Sequence, residues 1–290
     1  MNSPALPLSA PLVDIDWVRA HLDDPQTVII DCRFALNDSQ AGRQAYEAGH
    51  LPGAFYLDLN QDLSSPVQAH GGRHPLPDLN QLVTTLEVLG ISSQPTTQVV
   101  AYDATKGAFA ARLWRLLRYL GHSKVAVRDG GLPAWQATDC PLETQIPTPP
   151  KTGQFVPQVQ SDWTVDRDYI LQHQAEPGIV LVDARSPERY RGEQEPIDPI
   201  AGALPNAINQ FWQSNLDEQG YFHAVPALKA QWQHIAEADQ PIFYCGSGVT
   251  ACVNLLAQAR MGLPMPKLYV GGWSDWCSYE TKAWSPHSQE

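Results

Sequence analysis

The chain has 290 residues, a length that suggests about two domains, and a hydrophobic fraction of 43% that supplies ordinary cores. A net charge of −12, from 31 acidic and 19 basic residues, argues against nucleic acid or an anionic membrane as a partner, while a locally positive pocket for a small anion stays open. The cysteines, Cys32, Cys140, Cys245, Cys252 and Cys277, are odd in number and form no CxxC pair, so no disulfide framework, zinc site or thioredoxin-type redox pair is expected.

In chain order, Met1–Ala10 lacks a basic segment followed by an apolar core, so no secretory signal is expected, and no apolar run approaches membrane-spanning length. A protein of the reducing cytoplasm is the simplest expectation. The strand Val28-Ile-Ile-Asp-Cys-Arg33 ends in Asp-x-Arg, and the turn His50-Leu-Pro-Gly-Ala54 follows. Asp58 comes next, and then a long polar loop, Gln61 to Pro77, which contains His74. A second strand, Val99-Val-Ala-Tyr-Asp103, leads to a helix predicted over Ala108–Leu120. There Phe109, Leu113, Leu116, Leu117 and Leu120 recur at helical spacing with Arg112, Arg115 and Arg118 between them. Gly121 is the expected helix C-cap, and Gly130-Gly-Leu-Pro-Ala-Trp135 closes the half. From Asp139 to Gln160, Pro141, Pro147, Pro149, Pro150 and Pro157 forbid a continuous helix and favour an extended connector. The expected division is an N-terminal domain over 1–140, a linker over 141–160 and a C-terminal domain over 161–290.

The second half repeats the first in the same order. Val180-Leu-Val-Asp-Ala-Arg185, Ala203-Leu-Pro-Asn-Ala207, Ile242-Phe-Tyr-Cys245, Gly262 and Gly271-Gly-Trp-Ser-Asp-Trp276 each match a segment named above. One domain-sized repeat means a duplicated fold, not a solenoid. Short apolar strands alternating with helices, the last predicted over Thr250–Met261, imply α/β domains with largely parallel sheets, whose ligands bind beyond the carboxyl ends of the strands.

Cys245-Gly-Ser-Gly-Val-Thr250 lies at such an end. A glycine-rich turn that opens a helix gathers backbone N–H groups into an anion nest, and the helix dipole adds to it. Both favour the thiolate, so a lowered thiol pKa and a nucleophilic Cys245 are expected. Cys252 reads as core, Cys32 as a strand end, and Cys140 and Cys277 as exposed, oxidisable thiols. A Cys-dependent phosphatase or arsenate reductase needs an arginine closing the loop, and residues 246–252 contain none.

On these motifs, together with Val182-Asp-Ala-Arg185 and Arg189-Tyr-Arg-Gly192, the chain resembles the two-domain rhodanese-type sulfurtransferases from about Leu12 to Trp276. The resemblance implies two tandem rhodanese-like domains, each a parallel sheet flanked by helices, with the catalytic cysteine only in the second. In this chain Asp103 stands where Cys245 would be, in a loop, Asp103-Ala-Thr-Lys-Gly107, one residue longer before its glycine. The first domain is therefore expected to be inactive in transfer. The implied reaction carries sulfane sulfur through a Cys245 persulfide, cradled by N–H groups of Gly246, Ser247, Gly248, Val249 and Thr250, with no metal or organic cofactor. Arg189 matches the family's substrate-binding arginine. Asp58, His74 and Ser247 resemble a proposed Asp–His–Ser relay, against which solvated loop residues weigh about evenly. Ser247 is also placed to donate to a carbonyl oxygen that becomes an enolate.

Gly-Ser after the cysteine resembles the mercaptopyruvate enzymes, whereas thiosulfate enzymes tend to place cations there, which Gly246 and Ser247 cannot supply. Ile197 and Asp198 stand where the mercaptopyruvate enzymes often carry a second arginine. The expected donor is thus 3-mercaptopyruvate, with thiosulfate as the alternative. The expected acceptor is thioredoxin, a low-molecular-weight thiol or cyanide. A non-enzymatic persulfide carrier is the reading outside enzymology. Asp-x-Arg, present in both halves, reads as structural.

Overall fold

The computed structural model describes residue 8 and residues 10–94, 96–149, 151–235 and 238–279. Most of Met1–Ala10, on which the leader expectation rests, and Pro150 of the connector lie outside these. The chain forms two compact units. The first comprises Met1–Ser65, Leu76–Gln160 and Glu218–Phe222; the second comprises Pro66–Pro75, Ser161–Asp217 and His223–Glu290.

In the first unit the strands are β1 (Leu12–Val13), β2 (Thr27–Asp31), β3 (Phe55–Tyr56), β4 (Gln98–Tyr102) and β5 (Val125–Arg128). The helices are α1 (Ile15–Ala20), α2 (Ala41–Ala48), α3 (Leu79–Val88), α4 (Ala110–Tyr119) and α5 (Gly131–Gln136). The second unit carries β6 (Thr164–Val165), β7 (Ile179–Asp183), β8 (Ile208–Asn209), β9 (Gln240–Tyr244) and β10 (Lys267–Tyr269). Its helices are α6 (Arg167–His173), α7 (Pro187–Tyr190), α8 (Val225–Trp232), α9 (Ala251–Arg260) and α10 (Gly272–Trp276). Each unit has one five-stranded sheet, in the orders β1-β5-β4-β2-β3 and β6-β10-β9-β7-β8. Every strand pair in both is parallel. The two orders are the same pattern, so the repeat read in sequence is a repeat of topology, and the fold is α/β with two parallel sheets flanked by helices.

The repeated motifs have repeated jobs. Register sets Asp31 beside Tyr102 and Asp183 beside Tyr244. In the first unit Arg33 pairs with Asp31 at 2.6 Å and donates to Gly49 O, while Tyr102 Oη donates to Asp31 and accepts from Leu51 N. In the second, Arg185 pairs with Asp183 at 2.7 Å and donates to Gly202 O, and Tyr244 Oη accepts from Leu204 N. Asp31 and Asp183 are fully buried, so the motif ties the strand to the next loop with a buried, hydrogen-bonded ion pair. The Gly-Gly segments answer a close approach. A Cβ on Gly131 would lie 2.5 Å from Asp103 O, and one on Gly272 would lie 2.4 Å from Cys245 O. That contact brings the start of α5 or α10 against the carbonyl at the end of the central strand, where Leu132 N and Trp273 N bind it.

One sequence expectation gains depth and another changes. The helix predicted over Ala108–Leu120 is α4, but it is buried on nearly all sides. Arg112 and Arg115 are 1% and 2% exposed, with Arg112 Nη2 donating to Leu63 O and the Arg115 guanidinium over the Tyr119 ring. Helical spacing finds the helix, but long side chains that lay their stems on apolar surface hide how deep it sits. Cys277, expected exposed, is buried against the core of the second unit, at the end of α10, whereas Cys140 is half-buried. Cys252 is buried as expected, and Cys32, at its strand end, is buried too. Among the described residues, no helix is long and apolar enough to cross a membrane.

Candidate active site

Cys245 follows β9, a central strand of its sheet, and is 2% exposed. The loop after it is set by its carbonyls. Cys245 O accepts from Trp273 N and Gly246 O from Ser274 N, both at 2.8 Å. In trans peptides this sends the N–H groups of Gly246 and Ser247 the opposite way, away from α10. Gly248 then adopts φ +70, and a Cβ there would stand 2.3 Å from Val270 O, so only glycine fits. Val249 is buried and Thr250 half-buried; α9 begins directly after, and Cys252 Sγ donates to Gly248 O.

The first unit shows what a nest on this turn holds. Asp103 is fully buried, and its carboxylate accepts N–H groups from Thr105, Gly107, Phe109 and Ala110 at 2.7–2.9 Å. Burial pushes its carboxyl up while these donors pull it down, with burial the stronger.

Three residues sought from sequence meet at the Cys245 loop. Ser247 is buried, and its Oγ lies 2.7 Å from Nδ1 of His74, itself 5% exposed. His74 belongs to the second unit because Pro66–Pro75 packs there: Gly71 N donates to Asp275 Oδ1 and Arg73 N to Ser274 Oγ. Arg189 projects from α7, which starts with proline at its first position. Asp58 belongs to the first unit. There Oδ1 accepts from Asn60 N and Gln61 N, and Oδ2 from Tyr56 Oη, so it caps a turn.

Sequence reasoning names no role for Arg73, yet it reaches the same loop. A Cβ on Gly246 would stand 2.8 Å from Arg73 Nη2 and 3.6 Å from Arg189 Nη2. Gly246 is therefore a matter of space: two guanidiniums overhang it. Burial pulls the Arg73 pKa below the ordinary arginine value; Cys245 raises it and the like charge of Arg189 lowers it. It stays a cation at neutral pH. Gly246 and Ser247 supply no cation, but two reach this loop from outside it. The available signal was a basic residue beside His74 in an otherwise polar loop.

These cations are held in a chain of ion pairs. Asp183 binds Arg185, Arg185 binds Glu195 at 3.2 Å, and Glu195 binds Arg189 at 2.7 Å. Arg189 binds Asp198 at 3.1 Å, and Asp198 also pairs with Arg73. Glu195 Oε1 accepts the N–H groups of Ile197 and Asp198, which folds Glu195-Pro-Ile-Asp198 into a tight turn beside the loop. Among the described residues, no group of three or more His, Cys, Asp or Glu side chains could hold a metal ion.

A parallel α/β sheet with a cysteine-headed nest at the end of its central strand, written twice with the thiol kept once, defines the class. The rhodanese-like domain family matches residues 14–138 and 166–279, and the chain belongs to that family. It is 41% identical over 273 residues to a protein of Pseudomonas aeruginosa named a probable 3-mercaptopyruvate sulfurtransferase, covering 92% of this chain and 95% of that one. An Arabidopsis thaliana relative named thiosulfate/3-mercaptopyruvate sulfurtransferase 1, mitochondrial, is 29% identical, with 96% of this chain and 78% of that protein covered. Among solved structures, the 3-mercaptopyruvate sulfurtransferase from Leishmania major matches with a TM-score of 0.81 at 28% identity, covering 95% of this chain and 76% of that one.

Proposed function

We propose that this protein is a sulfurtransferase that takes sulfur from 3-mercaptopyruvate onto Cys245 and passes it to a thiol or cyanide. The observation that carries the reading is the grouping of Cys245, the His74–Ser247 hydrogen bond and two guanidiniums at one strand end. The names of the relatives agree with it. Arg73 and Arg189 attract the donor's carboxylate. The Cys245 thiolate attacks the donor's sulfur, and the carbon–sulfur bond breaks with its electron pair passing to carbon as the enolate of pyruvate, which is then protonated. With the proton of His74 on Nδ1, Ser247 accepts it, and its own O–H is free to donate to the enolate oxygen. Cys245 is left as a persulfide, its outer sulfur in the loop's N–H groups. Thioredoxin, a low-molecular-weight thiol or cyanide attacks that sulfur, and the sulfur–sulfur bond breaks back to the Cys245 thiolate. The expected kinetics are ping-pong. All five cysteines are free thiols, which fits a reducing cytoplasm.

Thiosulfate is the second reading, favoured by the same two guanidiniums. The test is the mass of the Cys245 peptide after each donor. A gain of one sulfur with 3-mercaptopyruvate, absent in Cys245→Ser, is expected; no gain with either donor overturns the proposal, and faster loading by thiosulfate reverses the donor.

A further inference from the structure

Asp198 has no part in the chemistry above, yet it sits where that chemistry begins. Its side chain is 2% exposed and bridges Arg73 Nη1 and Arg189 Nη2. These are the groups that overhang Gly246, next to Cys245. The bridge is built in, because the turn closed by Glu195 Oε1 on the N–H groups of Ile197 and Asp198 fixes where the carboxylate points. Along the linked side chains, Arg73, Arg185 and Arg189 face Asp183, Glu195 and Asp198, so the set is formally neutral.

Two cations beside a nucleophile favour the anion of highest charge, and that preference weakens once a carboxylate lies between them. Repulsion from Asp198 is twice as large for a dianion as for a monoanion at the same place. We propose that Asp198 is a resident competing anion: it occupies the guanidinium pair that a donor's oxyanion must enter, and it selects singly charged donors over dianionic thiosulfate. This rests on reading Cys245 as the sulfur acceptor and names how that site chooses its substrate.

The test removes turnover. Affinities for thiosulfate and for pyruvate, a monoanion, are measured by titration calorimetry in Cys245→Ser and in Cys245→Ser/Asp198→Asn. The second substitution is expected to tighten thiosulfate by about tenfold and pyruvate by about threefold. Unchanged or weaker thiosulfate binding, or equal gains for both anions, overturns the proposal. Asp198→Ser replaces the asparagine variant if that one does not fold. Cys245→Ser alone gives an independent check: tighter binding of thiosulfate than of pyruvate with Asp198 in place also overturns it. Failure of the transferase reading is separate, because it shows as an absent persulfide in the unaltered protein, whatever the anion affinities.

Discussion

Gly246 and Gly248 are two residues apart and serve different ends. At Gly248 both the positive φ and the backbone oxygen of Val270 forbid a side chain. Gly248→Ala is expected to cost about 2 kcal/mol or more in urea unfolding. At Gly246 the obstacle is the end of a flexible arginine. Gly246→Ala is expected to hold the unfolding free energy within about 0.5 kcal/mol while raising the KM for the donor. Equal losses of stability in the two variants would contradict this division. At this scale the sequence was most legible where one residue type carries the chemistry alone. Cys245 and Ser247 stand in a recognisable loop. Arg73 was hidden because its meaning depends on where a long loop lands, which no local spacing records.

The paired Asp-x-Arg strands and the paired loops after β4 and β9 show one plan with two contents. In the first unit the nest is filled by Asp103, whose carboxylate accepts from four N–H groups. Asp103→Ala strands the N–H groups of Gly107, Phe109 and Ala110 in a buried place and is expected to lower stability by about 3 kcal/mol. Sulfur transfer by the folded fraction should keep its rate, since the reacting thiol lies on another element. A rate loss as large as the stability loss, measured at matched folded concentration, would give Asp103 a role in the chemistry. Parallel pairing and the duplication could be read ahead of the structure because apolar strands alternate with helices, and because the same words recur. The depth of α4 could not be read, since leucines at helical spacing with Arg112 and Arg115 between them mark a helix but not its burial.

For the molecule as a whole, the sequence midpoint is not the boundary that matters for the site. His74 and Arg73 are written in the first half, yet Pro66–Pro75 packs within the second unit. Replacing residues 67–74 with a glycine–serine loop of equal length is expected to lower kcat/KM for 3-mercaptopyruvate by about 100-fold or more. The Cys245 thiol should still react with a small alkylating reagent. Retention of near-normal kcat/KM would show that neither His74 nor Arg73 contributes. Repeats in sequence mark where a fold is copied, but not which copy a loop serves.

The first half is therefore not expected to be shed in descent as a spent duplicate. A gene trimmed to its second half would inherit the nucleophile and its nest but lose the histidine beside Ser247 and one of the two cations over Gly246. The first nest does without a thiol at Asp103, but the ten residues Pro66–Pro75 pack with the second unit. Selection on transfer is then expected to preserve the first copy through the segment it lends.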